Sequence, residues 1–229
     1  MSKPQPNVLN WEAAARLNIA ENGEVLVPTS GCAAWLTRPV YHADGLPNAL
    51  PDVWVRAGVY DRLRMAARAL PPGYRLVLLD GWRSKALQQA LYQKIRSDVA
   101  ARHPEASAPE IDQITMQFAA PPSDSQTRHS PHVTGGAIDV TLADETGAIL
   151  PMGSGFDEPS ARSWTDAAVG SPEVERRHLL CQAMFQAGFT NLASEWWHFD
   201  YGNWVWAVAA GQPAAFYGPT SLPEGCLKI

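Results

Sequence analysis

The chain has 229 residues, of which 46% are hydrophobic and 18% charged, a balance that excludes a disordered polymer and suits a globular domain with a sizeable core. Its net charge of -5 is spread without runs, which removes the electrostatic reason for a nucleic-acid partner. No stretch is long and apolar enough to cross a bilayer and no apolar leader follows Met1, so a cytoplasmic protein with no membrane partner is the expectation.

Taken in chain order, residues 1–57 read as irregular, because Pro28, Pro39, Pro47 and Pro51 interrupt any long element. Val59, Leu63, Ala66, Ala67 and Leu70 then recur at helical spacing, and Pro71-Pro72-Gly73 ends that helix. Tyr74 to Asp80 is a short apolar run between two glycines, the signature of a buried strand. Ser84 caps a second predicted helix, Lys85 to about Ala101, with Leu87, Leu91 and Ile95 on one face. A short helix is expected from Ile111 to Phe118, and a second strand from Ala137 to Leu142. Residues 143–170 form a long Gly- and Ser-containing loop of the kind that carries function. Ser171-Pro172-Glu173 reads as a capped helix start with Pro at its first position, running to about Ala187 and stopping at Gly188. From Phe189 on the chain reads as strand and loop, dense in Trp. With no repeat and no linker, residues 1–229 are read as one α+β domain, a small sheet with helices packed to one side. The nine Trp residues read individually as core filling. Cys32, Cys181 and Cys226 are far apart and read as isolated thiols, neither a disulfide framework nor a thiolate metal site.

Two segments carry the chemistry. In Ser130 to Asp139, Pro131 argues against a helix through His132, while Gly135-Gly136 lets the chain turn into the second strand. On that half-buried strand Ala137, Asp139 and Thr141 share one face and Ile138, Val140 and Leu142 the other. A buried Asp needs a partner, and a divalent cation supplies one. In Ser194 to Tyr201, Glu195 and His198 stand out within an aromatic, extended run. Two His and one Asp match the three-ligand sets of catalytic zinc, and Glu195 is then a free carboxylate able to take a proton from water. His42, His103, His129 and His178 read as surface residues. Arg83 follows a strand end in Asp80-Gly81-Trp82-Arg83. It either stabilises an oxyanion, a contribution of about 3 kcal/mol, or pairs with Asp80 as a surface residue.

Ser130 to Asp139 followed by Glu195-Trp196-Trp197-His198 resembles the zinc D-alanyl-D-alanine peptidases. Asp80-Gly81-Trp82-Arg83, Met152 to Asp157, and Trp197 to Asn203 narrow the resemblance to the D-alanyl-D-alanine dipeptidases, including those of vancomycin resistance, over roughly residues 19–218. The resemblance implies a small, mainly antiparallel sheet and one Zn2+ per chain held by His132, Asp139 and His198. It implies Glu195 as base, Arg83 as transition-state stabiliser, Asp157 as anchor for the substrate ammonium, and Ser130 as a positioning group. Glu158 competes with Asp157 for that anchor, and Ser154-Gly155 is expected to loosen its loop and broaden the substrate range. The implied reaction is hydrolysis of the small D,D-dipeptide D-alanyl-D-alanine to two D-alanines. Two alternatives stand beside it: a murein D,D-carboxypeptidase or endopeptidase, and a non-catalytic zinc-stabilised binding module, which would need neither Glu195 nor Arg83.

Overall fold

A computed structural model describes residues 11–116, 119–123 and 129–223. In chain order its elements are α1 (Trp11–Arg16), β1 (Asn18–Ile19), β2 (Leu26–Pro28), β3 (Trp35–Thr37), α2 (Val40–Ala43), β4 (Trp54–Arg56), α3 (Ala57–Ala69), β5 (Arg75–Asp80), α4 (Lys85–Arg102) and α5 (Ala108–Thr115). A 3-10 turn at Pro131–Thr134, β6 (Ala137–Ala143), a second 3-10 turn at Ala161–Ser163, α6 (Glu173–Gln186), β7 (Thr190–Asn191), β8 (His198–Asp200), α7 (Trp204–Ala209) and β9 (Ala214–Ala215) complete the described chain.

The central sheet has five strands in the order β3-β5-β6-β8-β7. Only β3 and β5 run parallel; the other three pairings are antiparallel. Buried Val59, Leu63 and Ala66 of α3 and Leu180 and Met184 of α6 pack with Leu76, Leu78, Ile138, Val140 and Leu142 of the sheet. The opposite face is also covered. Val77, Leu79 and Ala143 pack with Leu36, Val40 and Phe156, and Tyr41 of α2 adjoins Leu87 and Leu91 of α4. All seven residues of β6 are therefore buried, beyond the half-buried strand expected from its alternation.

The long predicted elements form where expected. Ser84 caps α4 by accepting from Leu87 N at 3.1 Å, and α3 stops just before Leu70-Pro71-Pro72. The differences lie in short elements. Residues 1–57 were expected to be irregular, yet β3 joins the central sheet and β2 pairs with β4, because three-residue strands leave too little pattern to detect. The helix expected over Ile111 to Phe118 starts earlier, at Ala108, where Ser107 and Glu110 form a reciprocal capping box; Gln117 and Phe118 lie outside the described residues, as does Cys226. At α6 the cap position is Pro172, and Ser171 instead donates to Glu175 Oε1 at 2.9 Å. The Trp-rich C-terminal part contains α7, capped by Asn203, whose side chain accepts from Trp206 N. Its all-apolar six residues show no periodicity to read. Among the described residues no helix is long and apolar enough to cross a membrane.

Candidate active site and metal centre

The site is assembled at one end of β5, β6 and β8. His132 is carried by the 3-10 turn Pro131–Thr134, with Pro at its first turn, where its missing N–H costs nothing. A helical turn does therefore pass through His132, contrary to the sequence reading, but it is too short to hold a second ligand. Gly135 ends it with φ 71°, a left-handed conformation that favours glycine. Two residues later β6 begins and presents Asp139, which pairs in register with His198 on β8. The segment expected to be extended from Ser194 is a strand only over His198–Asp200; Glu195 sits in the preceding turn, with His198 N donating to Glu195 O.

His132 Nε2, His198 Nδ1 and Asp139 face one another. The two ring nitrogens are 3.1 Å apart, His198 Nδ1 is 3.1 Å from Asp139 Oδ1, and His132 Nε2 is 3.5 Å from Asp139 Oδ2. A tetrahedral ion with bonds of about 2.0–2.1 Å spaces its donors by roughly 3.3 Å, so this buried triad fits a metal ion. The remaining ring nitrogens are occupied in ways that aim the first set. His132 Nδ1 lies 2.8 Å from Gly81 O. His198 Nε2 lies 3.1 Å from Asp200 Oδ2, whose other oxygen accepts from Asn203 Nδ2 at 2.6 Å. Such partners orient a ligating imidazole and raise its basicity. Burial, with Arg83 and His198 nearby, holds the His132 pKa well below its ordinary value. At His198 burial opposes charge, but Asp200 and Asp139 outweigh it and hold the pKa well above the ordinary value.

Glu195 lies beside the triad without joining it, its Oε2 3.8 Å from His198 Nδ1. Burial pushes its carboxyl up to about 7, although 26% of the side chain still meets solvent through the cleft. Arg83 is buried, not a surface residue. Its guanidinium bonds Asp80 Oδ2 at 2.8 and 3.0 Å, Gln88 Oε1 at 2.9 Å and the Tyr41 hydroxyl at 3.3 Å, and stands 3.7 Å from Asp139 Oδ2. The pairing with Asp80 and the approach to the triad thus coexist. A bulge between Leu78 and Asp80 explains how. The extra residue turns Leu79 and Asp80 to the same face, so Asp80 sits opposite Asp139 and brings Arg83 with it.

Asp157 accepts a hydrogen bond from the Tyr41 hydroxyl at 2.5 Å, and its own backbone is left-handed, with φ 54°. Burial raises its carboxyl to about 6. Glu158 turns away, accepting from Gly155 N at 2.9 Å and Ser160 Oγ at 2.7 Å. The loop that carries Asp157 is tied down rather than loosened at Ser154-Gly155. Trp196 Nε1 donates to Ser154 Oγ at 2.9 Å, Phe156 packs edge-on against Trp197, and Arg177 of α6 donates to the carbonyls of Met152, Arg162 and Trp164. The tryptophans beside Glu195 therefore do more than fill core.

Arg83, Ser130, His132, Asp139, Asp157, Glu195 and His198 all line one cleft of about 530 Å³. His129, read as a surface residue, is buried and lines it too, with Trp204 Nε1 donating to its carbonyl. His42, His103 and His178 are exposed as expected. Sequence reasoning missed Tyr41, Gln88 and Asp200. Tyr41 and Gln88 lie in a four-residue helix and on a helix face with no motif; Asp200 had a signal, standing two residues after His198 on the same strand face.

A family model described as D-ala-D-ala dipeptidase matches residues 57–210. A D-alanyl-D-alanine dipeptidase of Synechocystis is 31% identical over 193 residues, 72% of this chain and 78% of that protein. One from Escherichia coli is 35% identical over 149 residues, 64% of this chain and 66% of that protein. One from Enterococcus faecium is 32% identical over 139 residues, 60% of this chain and 67% of that protein. A solved structure described as VanYB in complex with D-Alanine-D-Alanine aligns with a TM-score of 0.46 and 15% identity, covering 86% of this chain and 94% of that one.

Proposed function

The chain belongs to the D-ala-D-ala dipeptidase family and is a peptidase, and on that premise we propose that it is a zinc dipeptidase cleaving D-alanyl-D-alanine into two D-alanines. His132, Asp139 and His198 are the ligands of one zinc ion per chain, and Glu195 is the general base. The observation that carries this reading is the placement of Glu195: a carboxylate beside a three-donor triad, outside the group whose donor atoms all lie within 4.8 Å of one another, and open to the cleft. Zinc, when bound, supplies Lewis acidity toward a water and a carbonyl oxygen.

The chain's own groups do the rest. Glu195 takes a proton from the attacking water and passes it to the leaving amine nitrogen as the peptide bond breaks. Burial, which raises the Glu195 carboxyl above the ordinary carboxylate range, favours its taking up and passing on a proton. Arg83, held rigid by Asp80 and Gln88, directs N–H groups toward the developing oxyanion. Asp157, steadied by Tyr41, binds the substrate ammonium, and that charge offsets the burial that raises its carboxyl. Ser130, on the cleft wall beside His132, positions the substrate. Glu158 is left out of the anchor because its oxygens are engaged within the loop.

The test is a zinc-loaded assay of free D-alanyl-D-alanine beside a pentapeptide stem ending in the same residues. Release of D-alanine from the dipeptide and none from the stem is expected. Cleavage of the stem with the dipeptide left intact would assign the chain to murein D,D-carboxypeptidase chemistry instead.

A further inference from the structure

Asn191 ends β7 and is not part of the cleft lining, yet its half-buried side chain holds the turn that carries two of the cleft's groups. Its Nδ2 donates to Glu195 O at 3.1 Å and to His198 O at 2.9 Å, the carbonyls at the two ends of Glu195-Trp196-Trp197-His198. Its Oδ1 accepts from the Thr165 hydroxyl at 2.6 Å. The amide fits only in this orientation, because the reverse would set an oxygen against both carbonyls.

The turn needs such support. Its closing backbone bond, His198 N to Glu195 O, measures 3.2 Å, the long end of the ordinary range. The two buried tryptophans between them turn to different partners, Trp196 to Ser154 Oγ and Trp197 to Phe156. One long bond leaves the Glu195 peptide room to rotate, and rotation there swings the Glu195 side chain relative to His198. Asn191 draws both end carbonyls to a single donor and removes that freedom. Its position is itself fixed, by pairing in register with Phe199 of β8 and by the Thr165 hydroxyl. Thr165 belongs to the segment that follows Asp157, and its own N–H donates to Ala193 O at 2.9 Å, just ahead of the turn. We propose that Asn191 is a positioning residue that fixes Glu195 relative to His198, so that the proton-accepting carboxylate and the donor triad keep one separation. The proposal rests on the reading of Glu195 as base and His198 as ligand.

The test uses the full chain with Asn191→Ala, which removes the amide and adds no charge. kcat for D-alanyl-D-alanine is expected to fall about 10- to 100-fold, the effect of misplacing a catalytic group by roughly 1 Å. KM should move less than about twofold, since a misplaced base weakens the transition state alone. In a Glu195→Gln background the same substitution should lower the remaining kcat by less than about twofold, because the group it positions is already gone. With cobalt(II) loaded in place of zinc, Asn191→Ala should shift the visible absorption bands, His198 being part of the same turn. Asn191→Ser, which restores one donor, should recover part of kcat, and it replaces the alanine variant throughout if that variant does not fold. Unchanged kcat, or an equal loss with and without Glu195, would overturn the proposal whatever the melting temperature does. A wild-type chain that leaves the dipeptide intact, or a Glu195→Gln variant with full kcat, would instead overturn the reading of Glu195 as base. The cobalt spectrum then decides for Asn191: shifted bands uphold it as the residue that positions His198, and unshifted bands sink it.

Discussion

Glu195 and His198 are three residues apart, and the turn between them is what separates their positions: His198 N bonds Glu195 O, so one side chain enters the donor triad while the other stops beside it. This division predicts that Glu195→Gln keeps its zinc and loses kcat by about 10³-fold, within the range for a general base. Metal content by emission spectroscopy, measured beside turnover, checks both halves; undiminished kcat would refute the base assignment. Asp200 acts one step further out. Removing the carboxylate that holds His198 Nε2 in Asp200→Ala should weaken zinc about 10- to 100-fold, read by competition with a chromogenic chelator. An affinity equal to wild type would show that His198 needs no such support. The candidate ligand residues themselves were legible in the sequence, because His and Asp flanking paired glycines are unusual in an apolar setting. Tyr41 was not, because nothing about an isolated Tyr marks it as the partner of an Asp 116 positions away.

The elements that matter most for the site are the shortest. The path from His132 to Asp139 passes through Gly135 and Gly136, and a Cβ on Gly136 would stand 2.6 Å from Tyr201 O, where backbone cannot yield cheaply. Gly136→Ala should therefore destabilise the fold by about 2–3 kcal/mol, at the upper end of ordinary single substitutions, as measured by urea unfolding. A loss under half a kcal/mol would mean the β6–β8 end is more compliant than its packing indicates. Long elements such as α3, β5 and α4 were readable from periodicity and caps, since each repeats its pattern several times. Strands of three residues such as β3 and β8 repeat nothing. Their existence is set by the partner strand and not by local preference. The bulge that turns Asp80 toward Asp139 is equally silent in a run of Leu and Val.

At the scale of the molecule, Arg56 joins parts of the chain that are far apart in sequence. Its buried guanidinium donates to Thr134 O at 2.7 Å, to Gly218 O at 3.0 Å and to the Glu24 carbonyl, and pairs with Glu21 at 2.9 Å. The Glu21 side chain is 40% exposed, so the ion pair itself contributes little; the three carbonyls are the larger part. Arg56→Met would leave them without this donor and is expected to cost about 3 kcal/mol. Because Thr134 closes the turn that aims His132, the same variant should also bind zinc more weakly. Denaturant unfolding with and without zinc separates the two effects. Equal losses in both conditions would confine Arg56 to general stability.

Local chemistry was enough to name the candidate metal triad, the neighbouring carboxylate and the long helices and strands, because each rests on residue types or periods that are improbable by chance. The sequence left two choices open at Arg83 and at Asp157. Tertiary structure showed that Arg83 is buried and bonded to Asp80 while still facing Asp139, and that Asp157 faces the cleft while Glu158 is engaged in its own loop. It also supplied Tyr41, Asp200 and the bonds of Asn191, none of which has a local signature. Each depends on side chains from distant segments meeting in a low-dielectric interior, where a buried polar group must find its partner across the fold.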